Sequence, residues 1–171
     1  MSDDGIAPWC DSVVGVSKHV RAGCVVEMPS EHAAGYVDLI VAGLHRIHFR
    51  SVPPPAEAAE QVRVFRRGSF WQSALLNGWG LSLFNSKIGP LSVEATVVIE
   101  RTTADNGRDR VIAAVVTHSE LNREFAGVVD GAFRALTTAG VSVTGPGWMR
   151  ADDVPATSLA HPKTSKRAGI R

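Results

Sequence analysis

The stretch WQSALLNGWGLSLFNSK, Trp71–Lys87, decides the fold, because it can be read as one helix, as a helix stopped at a glycine, or as two strands joined by a tight turn. A continuous helix through Phe84 would carry Gly78 and Gly80 in its interior, each costing about 1 kcal/mol relative to alanine. Its apolar residues would also point in every direction. A helix ending at Leu76, with Gly78 as a left-handed cap, is the closer rival. As a hairpin with Asn77-Gly78 in a type I′ turn, the residues pair in register. Leu76 then meets Trp79, Ala74 meets Leu81 and Gln72 meets Leu83 on one face; Leu75 with Gly80, Ser73 with Ser82 and Trp71 with Phe84 take the other. The second face has small residues in its middle and aromatic rings at one end, which leaves room for a bound molecule. The hairpin fits both the turn chemistry and the two faces, and it makes the middle of the chain a run of strands.

Upstream, SKHVRAGCVVEM is rich in β-forming residues and leads into Pro29-Ser30, a stop followed by an N-cap residue. Ala33, Tyr36, Val37, Ile40, Val41 and Leu44 then recur at spacings of three and four, with Glu31 near the positive end of the dipole. This predicts a helix from Glu31 to Ile47. VPPP at 52–55 breaks regular structure, its last proline able to open a short helix through AEAAEQ, and VRVFRRG reads as extended.

Downstream, LSVEATVVIER sets Val93, Ala95, Val97 and Ile99 against Glu94, Thr96 and Glu100, the pattern of a strand with one wet side. RVIAAVVTH is more uniformly apolar and hence more deeply buried, and TTADNGRD between the two is a hairpin loop. In SELNREFAGVVDGAFRALTTAG, the stripe Leu121, Phe125, Val128, Val129, Ala132, Phe133 and Leu136 opposes Asn122, Arg123, Asp130, Arg134 and Thr137. That is a long amphipathic helix over Glu120–Ala139, capped by Thr117 or Ser119 and stopped by Gly140. Gly127, Gly131 and Ala135 form a smooth strip suited to close backbone approach.

The order predicts an α+β domain: a curved antiparallel sheet meander packed on a long C-terminal helix, with an N-terminal strand and helix. Residues 1–12 read as a flexible lead-in and 13–149 as a single domain. Residues 150–171, poor in aromatics and rich in Pro, Ser, Thr and charge, read as a disordered basic tail.

With 171 residues, 44% hydrophobic and 20% charged, the chain can bury a core without disulfides. Eighteen basic against 17 acidic residues leave a formal +1, too near neutrality to imply a nucleic-acid partner. Cys10 and Cys24 form no CxxC pair and read as buried thiols. The acidic start MSDDG lacks the features of a signal peptide, and no apolar run reaches the roughly 20 residues of a membrane span. Both point to the cytoplasm.

The strand running into EMPSEHAAGYVDLI and the terminal VIAAVVTHSELNREFAGVVDGAFRAL together resemble the START/Bet v1-like helix-grip superfamily in topology, over roughly Val16–Gly140. The resemblance implies a cavity between sheet and long helix that takes a hydrophobic or aromatic small molecule, with cyclases and dehydratases among the members. The usual second short helix has only AEAAEQ to match it, and the strand count is short unless HFRSV is a strand.

From the residues themselves, the candidate ligand-binding residues are Trp71, Trp79, Phe84, Phe125 and Val129 as walls, Phe65 of the same aromatic cluster, and Tyr36 or His118 as a polar contact. His118 is the one catalytic candidate: alternation sets it with Ile112, Ala114 and Val116, where it would border such a cavity as an acid or base. A capping or surface histidine is the simpler account. His45 and His48 have the spacing of a metal pair, but Arg46 and Arg50 beside them disfavour a cation, so no metal site is expected. Arg63, Arg66 and Arg67 read as a solvated strand edge, or as a grip for an anionic substituent. No nucleotide, Walker, GxSxG or HExxH motif occurs, so no cofactor is implied. A cavity-bound ligand, catalysis by a cyclase, dehydratase or isomerase in the same cavity, and homo-oligomeric assembly through the glycine strip are the three functional readings.

Overall fold

A computed structural model describes residues 6–9, 12, 20–58, 60–68, 94–104 and 107–170. Its elements are β1 (Ala22–Pro29), α1 (Ser30–Arg46), β2 (Arg50–Val52), β3 (Val62–Arg67), β4 (Ala95–Thr103), β5 (Arg108–Val115), α2 (Asn122–Thr138), β6 (Thr144–Arg150) and α3 (Pro162–Arg167). Single 3-10 turns cover Ala56–Ala58 and Ala151–Asp153. The described strands form an antiparallel six-stranded sheet in the order β2-β3-β4-β5-β1-β6.

The α+β class and the N-terminal strand and helix are as expected, and α1 and α2 keep close to their predicted bounds. HFRSV contributes β2. The Trp71–Phe84 hairpin lies outside the described residues. One consequence of that reading is nevertheless decided, because β3 and β4 pair directly, from Val62 with Glu100 to Arg67 with Ala95, so no strand stands between them in the sheet. A second correction concerns the long helix: α2 is followed by β6 and the short α3, so it is not C-terminal. Gly140, with φ of 77°, takes the left-handed stop after α2 as predicted.

The helices cover one face of the sheet. Ala33, Tyr36, Ile40 and Leu44 of α1, and Phe125, Ala126, Val129, Ala132 and Leu136 of α2, pack on Cys24, Val26 and Met28 of β1, Phe65 of β3, Ala95, Val97 and Ile99 of β4, and Val111, Ala113 and Val115 of β5. Helical spacing meets the period of two across this layer. Since β1 and β5 run in opposite directions, α1 leaves one end of the sheet and α2 the other, and the two helices are antiparallel.

The other face is covered as well, which overturns two expectations. Val25, Val62, Val64, Val98, Ile112, Ala114 and Val116 form a second buried cluster with Ala151, Val154, Ala160 and Ile170. The supposed wet side of β4 therefore carries a fully buried Thr96 and Val98. The segment expected to be a disordered tail is instead a layer of the fold from Ala151 to Ile170. Glu100 fastens it: its carboxylate accepts hydrogen bonds from the Ser158 hydroxyl and the Leu159 N–H, both at 2.6 Å. Ser158 in turn accepts from the Ala160 N–H, and Lys163 N donates to His161 Nδ1 to cap α3. Composition misled here because a few well-placed apolar groups and one part-buried carboxylate contact suffice once an apolar sheet face is waiting.

Polar side chains also make tertiary ties in place of the local caps expected. Ser30 stands within hydrogen-bond distance of the Asp109 carboxylate (2.7 Å) and the Gly107 carbonyl (3.0 Å), fixing the start of α1 to the β4–β5 hairpin. The Ser30 hydroxyl, with Arg101 beside it, holds the Asp109 carboxyl below its ordinary value against the opposing effect of burial. At α2, the residue in the N-cap position is Leu121, not Thr117 or Ser119. Thr117 accepts from the Thr96 N–H at 2.8 Å. Asn122, assigned to the wet stripe, is buried, accepting from the Ala22 N–H and donating to the Val20 carbonyl. Where β6 meets a bulge in β1 between Val25 and Glu27, Gly145 at φ 120° lies so close that a Cβ would stand 3.0 Å from the Val25 carbonyl oxygen.

Truncation after Arg150 is expected to expose the Val25, Val98, Ile112 and Ala114 face. Burying each such side chain is worth about 1.5–3 kcal/mol, so a loss of at least about 3 kcal/mol is expected, a fall of roughly 10 °C in Tm. Thermal melts with a dye that reports exposed apolar surface check this; a truncated chain that melts like the full one would contradict it.

Candidate functional site

Two surface features stand out among the described residues, one of them at the end of the sheet where β1 begins and β5 ends. The first is a cleft of about 430 Å³ between Val20-Arg21, the Thr117–Glu120 turn and the Arg150–Asp153 corner. Arg21 builds one wall. Its Nη2 bonds both Asp152 carboxylate oxygens at 2.9 Å, and its Nη1 donates to the Val116 carbonyl at 3.2 Å. This ion pair, with one guanidinium nitrogen shared between both carboxylate oxygens, ties the start of β1 to the turn after β6, and Nη1 ties it to the end of β5, while the pair remains partly solvated. His118, Thr117, Ser119 and Glu120 line the opposite wall, with Arg150 and Asp153 at the corner. The cleft offers a histidine, hydroxyls and charges of both signs, with Val20 as its apolar contribution.

The second feature is a groove of about 410 Å³ between α1 and α2, lined by Leu39, Gly43, Arg46 and Ile47 on one side and Glu124, Gly127, Val128, Gly131 and Ala132 on the other. The helices touch where α1 lacks a side chain: a Cβ on Gly43 would stand 2.5 Å from Val128 Cγ1. The predicted strip behaves differently. A Cβ on Gly127 or Gly131 would meet nothing within 4 Å, so these glycines face open space and are not where α2 packs closely.

The predicted ligand-binding residues Tyr36, Phe65, Phe125 and Val129 are brought together in the layer between sheet and helices, each no more than 1% exposed. Trp71, Trp79 and Phe84 lie outside the described residues. His118 is exposed and apart from that layer, because its strand-mates Ile112, Ala114 and Val116 face the C-terminal segment.

Nearby, burial pushes the Cys24 thiol well above its ordinary value, and the Asp130 charge adds to this; Tyr36 is raised in the same way, with Cys24 and Asp130 contributing. Cys24 is thus an inert buried thiol. Asp130 accepts from the Trp148 indole N–H at 2.9 Å and the Trp9 backbone N–H at 3.0 Å, while Trp148 sits edge-on to both Trp9 and Phe125. This cluster closes the core under α2.

His45 packs edge-on against Phe65 and lies 3.2 Å from the Ser51 hydroxyl, and His48 takes a left-handed backbone (φ 68°) to end α1. Among the described residues, no group of three or more His, Cys, Asp or Glu is placed to hold a metal ion, and no helix is long and apolar enough to cross a membrane. β3 is not the edge strand, and Arg66 pairs with Arg50 of β2, while Arg63 is exposed beyond the β2 pairing. Arg67 is buried, and burial lowers its guanidinium while the Glu124 charge opposes that.

Arg21, Arg150, Asp152 and Asp153 were not legible as site residues, because the cleft joins segments far apart in the chain and the last three stood in a supposed tail. No protein-family model, curated protein or solved structure matches this chain.

The two glycine environments give opposite expectations. Gly131→Ala should stabilise by about 0.5–1 kcal/mol, since the methyl group meets open space and helix propensity improves. Gly43→Ala should cost about 1–3 kcal/mol by forcing the helices apart. Urea unfolding of both variants measures this, and equal effects would contradict the packing described.

Proposed function

We propose that this chain is a binding domain that takes a small polar molecule in the cleft beside His118. The single observation that supports this most is the cleft itself: about 430 Å³, within the range of small-molecule sites, at a convergence of strand ends and a helix start. Its chemistry selects the ligand class. Arg150 suits an anionic group, Glu120 and Asp153 suit hydrogen-bond donors or a cationic group, and His118 with the Thr117 and Ser119 hydroxyls suits either. A compact zwitterion or a small molecule with both an acid and donor groups meets these demands. Arg21 and Asp152 act as the frame, already satisfied by one another.

A second reading keeps a hydrophobic or aromatic ligand between sheet and helices, as the START-like resemblance implies. In its favour, Tyr36, Phe65, Phe125 and Val129 converge on one layer. Their near-complete burial means that such a ligand must displace packed side chains, which disfavours it against a cleft already open. In either case, a cyclase, dehydratase or isomerase activity would need His118 as acid or base, and only a cleft-bound substrate would touch it.

One titration separates these readings. Isotope-labelled protein is mixed with amino acids, sugar phosphates and short hydroxy acids, then with fatty and aromatic acids, and amide shifts are followed. Saturable shifts are expected at Thr117–Glu120 and Arg150–Asp153 with the polar panel. Arg150→Ala or Asp153→Asn should weaken them roughly tenfold or more, about 1.4 kcal/mol. Shifts confined to the surroundings of Tyr36, Phe125 and Val129 with the apolar panel would transfer the site to the second reading, and no saturable shift with either panel would reject both.

A further inference from the structure

We infer that the α1–α2 face is a homodimer interface, occupied by the same face of a second copy related by a twofold axis running along the groove. Three observations combine. Leu39, at 41% exposure, is the large hydrophobic side chain left outside among the described residues, and it stands on the groove wall. Across from it, Gly127 and Gly131 leave a hollow in which an added Cβ meets nothing within 4 Å. At one end of the same groove stand charges of opposite sign, Arg46 on α1 and Glu124 on α2.

The register between the helices turns these features into a match. Gly43 packs against Val128, and because the helices are antiparallel, Leu39 is level with Gly131 and Ala132 while Arg46 is level with Glu124. A twofold axis along the groove keeps every residue at its own height and lays α1 of each copy over α2 of the other. Leu39 then enters the hollow at the partner's Gly131, and Arg46 meets the partner's Glu124, each contact occurring twice.

A knob, a hollow and both members of a charge pair on one patch, at matching heights, are the marks of an isologous contact, in which one surface must complement itself. A different protein would require only one half of each pair. Charge complementarity fixes the orientation, since turning the second copy end for end would set Leu39 over the charged end. The smooth glycine surface lets the helix layers approach closely. This inference is independent of the polar cleft, whose lining shares no residue with the groove.

Sedimentation equilibrium tests it. The wild-type chain is expected at twice its 18.2 kDa mass, with Leu39→Asp and Gly131→Leu each raising the dimer dissociation constant at least tenfold. Gly131→Leu should do so without lowering the melting temperature of the isolated chain, because its side chain meets open space in the monomer. In a Cys10→Ser background, separately purified Leu39→Cys and Gly131→Cys chains, mixed under mild oxidation, should form a mixed disulfide between chains. A wild-type protein that stays monomeric at millimolar concentration, leaving the groove to some other partner, would overturn the proposal. So would a dimer that neither substitution weakens, or a mixture that yields no mixed disulfide.

Discussion

The constraint on which the rest of the structure depends is that β1, β4 and β5 are apolar on both faces. Val97 and Ile99 point to the helices while Val98 points away, and Ala113 and Val115 oppose Ile112 and Ala114 in the same manner. A sheet with such strands at its centre cannot leave a face in water. Two helices cover one side. The segment from Ala151 to Ile170 covers the other, too irregular to offer a stripe of its own but fastened by the Glu100 carboxylate and by Val154, Ala160 and Ile170. Gly23 shows how close this layer lies, for a Cβ there would come within 2.9 Å of Val154 Cγ2.

The functional features follow from how the two covers are joined to the sheet. The C-terminal layer begins at the corner after β6, directly beside the start of β1 and the β5–α2 turn, and the cleft is the space left between those three connections. Arg21 forms one wall, bonded to Asp152 and to the end of β5, so the frame of the cleft also ties the outer layer to the sheet. On the inner side, α1 and α2 meet closely at Gly43 and Val128, and the groove beside that contact carries Leu39 and the two open glycines. The molecule therefore presents a polar recess and, apart from it, a groove between the two helices.

How much of this was legible depended on whether the deciding interaction was local. The stripe Ala33, Tyr36, Ile40 and Leu44 specified α1, and Phe125, Val129, Ala132 and Leu136 specified α2, because helical spacing needs only one apolar surface to answer it. The unbroken apolar run of β5 announced burial on both faces, and it was the stronger clue to the outer layer. Thr96 read as wet because its hydroxyl carries no information about a segment that arrives sixty residues later. Asn122 and Asp130 read as exposed for the same reason, although they tie α2 to Ala22 and to Trp148. Gly127 and Gly131 read as a strip for close backbone approach, but close packing falls to Gly43, since the register of two helices is fixed by the whole layer. The cleft residues could not be seen together at all: Arg21, His118 and Asp152 come from three remote connections.

Hydrogen exchange of the backbone amides tests the two-sided burial most directly. Val97–Ile99 and Val111–Val115 should exchange slowest, and Leu159, Ala160, Ser165 and Ile170, whose N–H groups are bonded to Glu100, Ser158, His161 and Ser165, should exchange far more slowly than an unstructured chain. Exchange of those four amides at the rate of a free peptide, with β4 and β5 still protected, would contradict the account, since the outer face of the sheet would then stand uncovered.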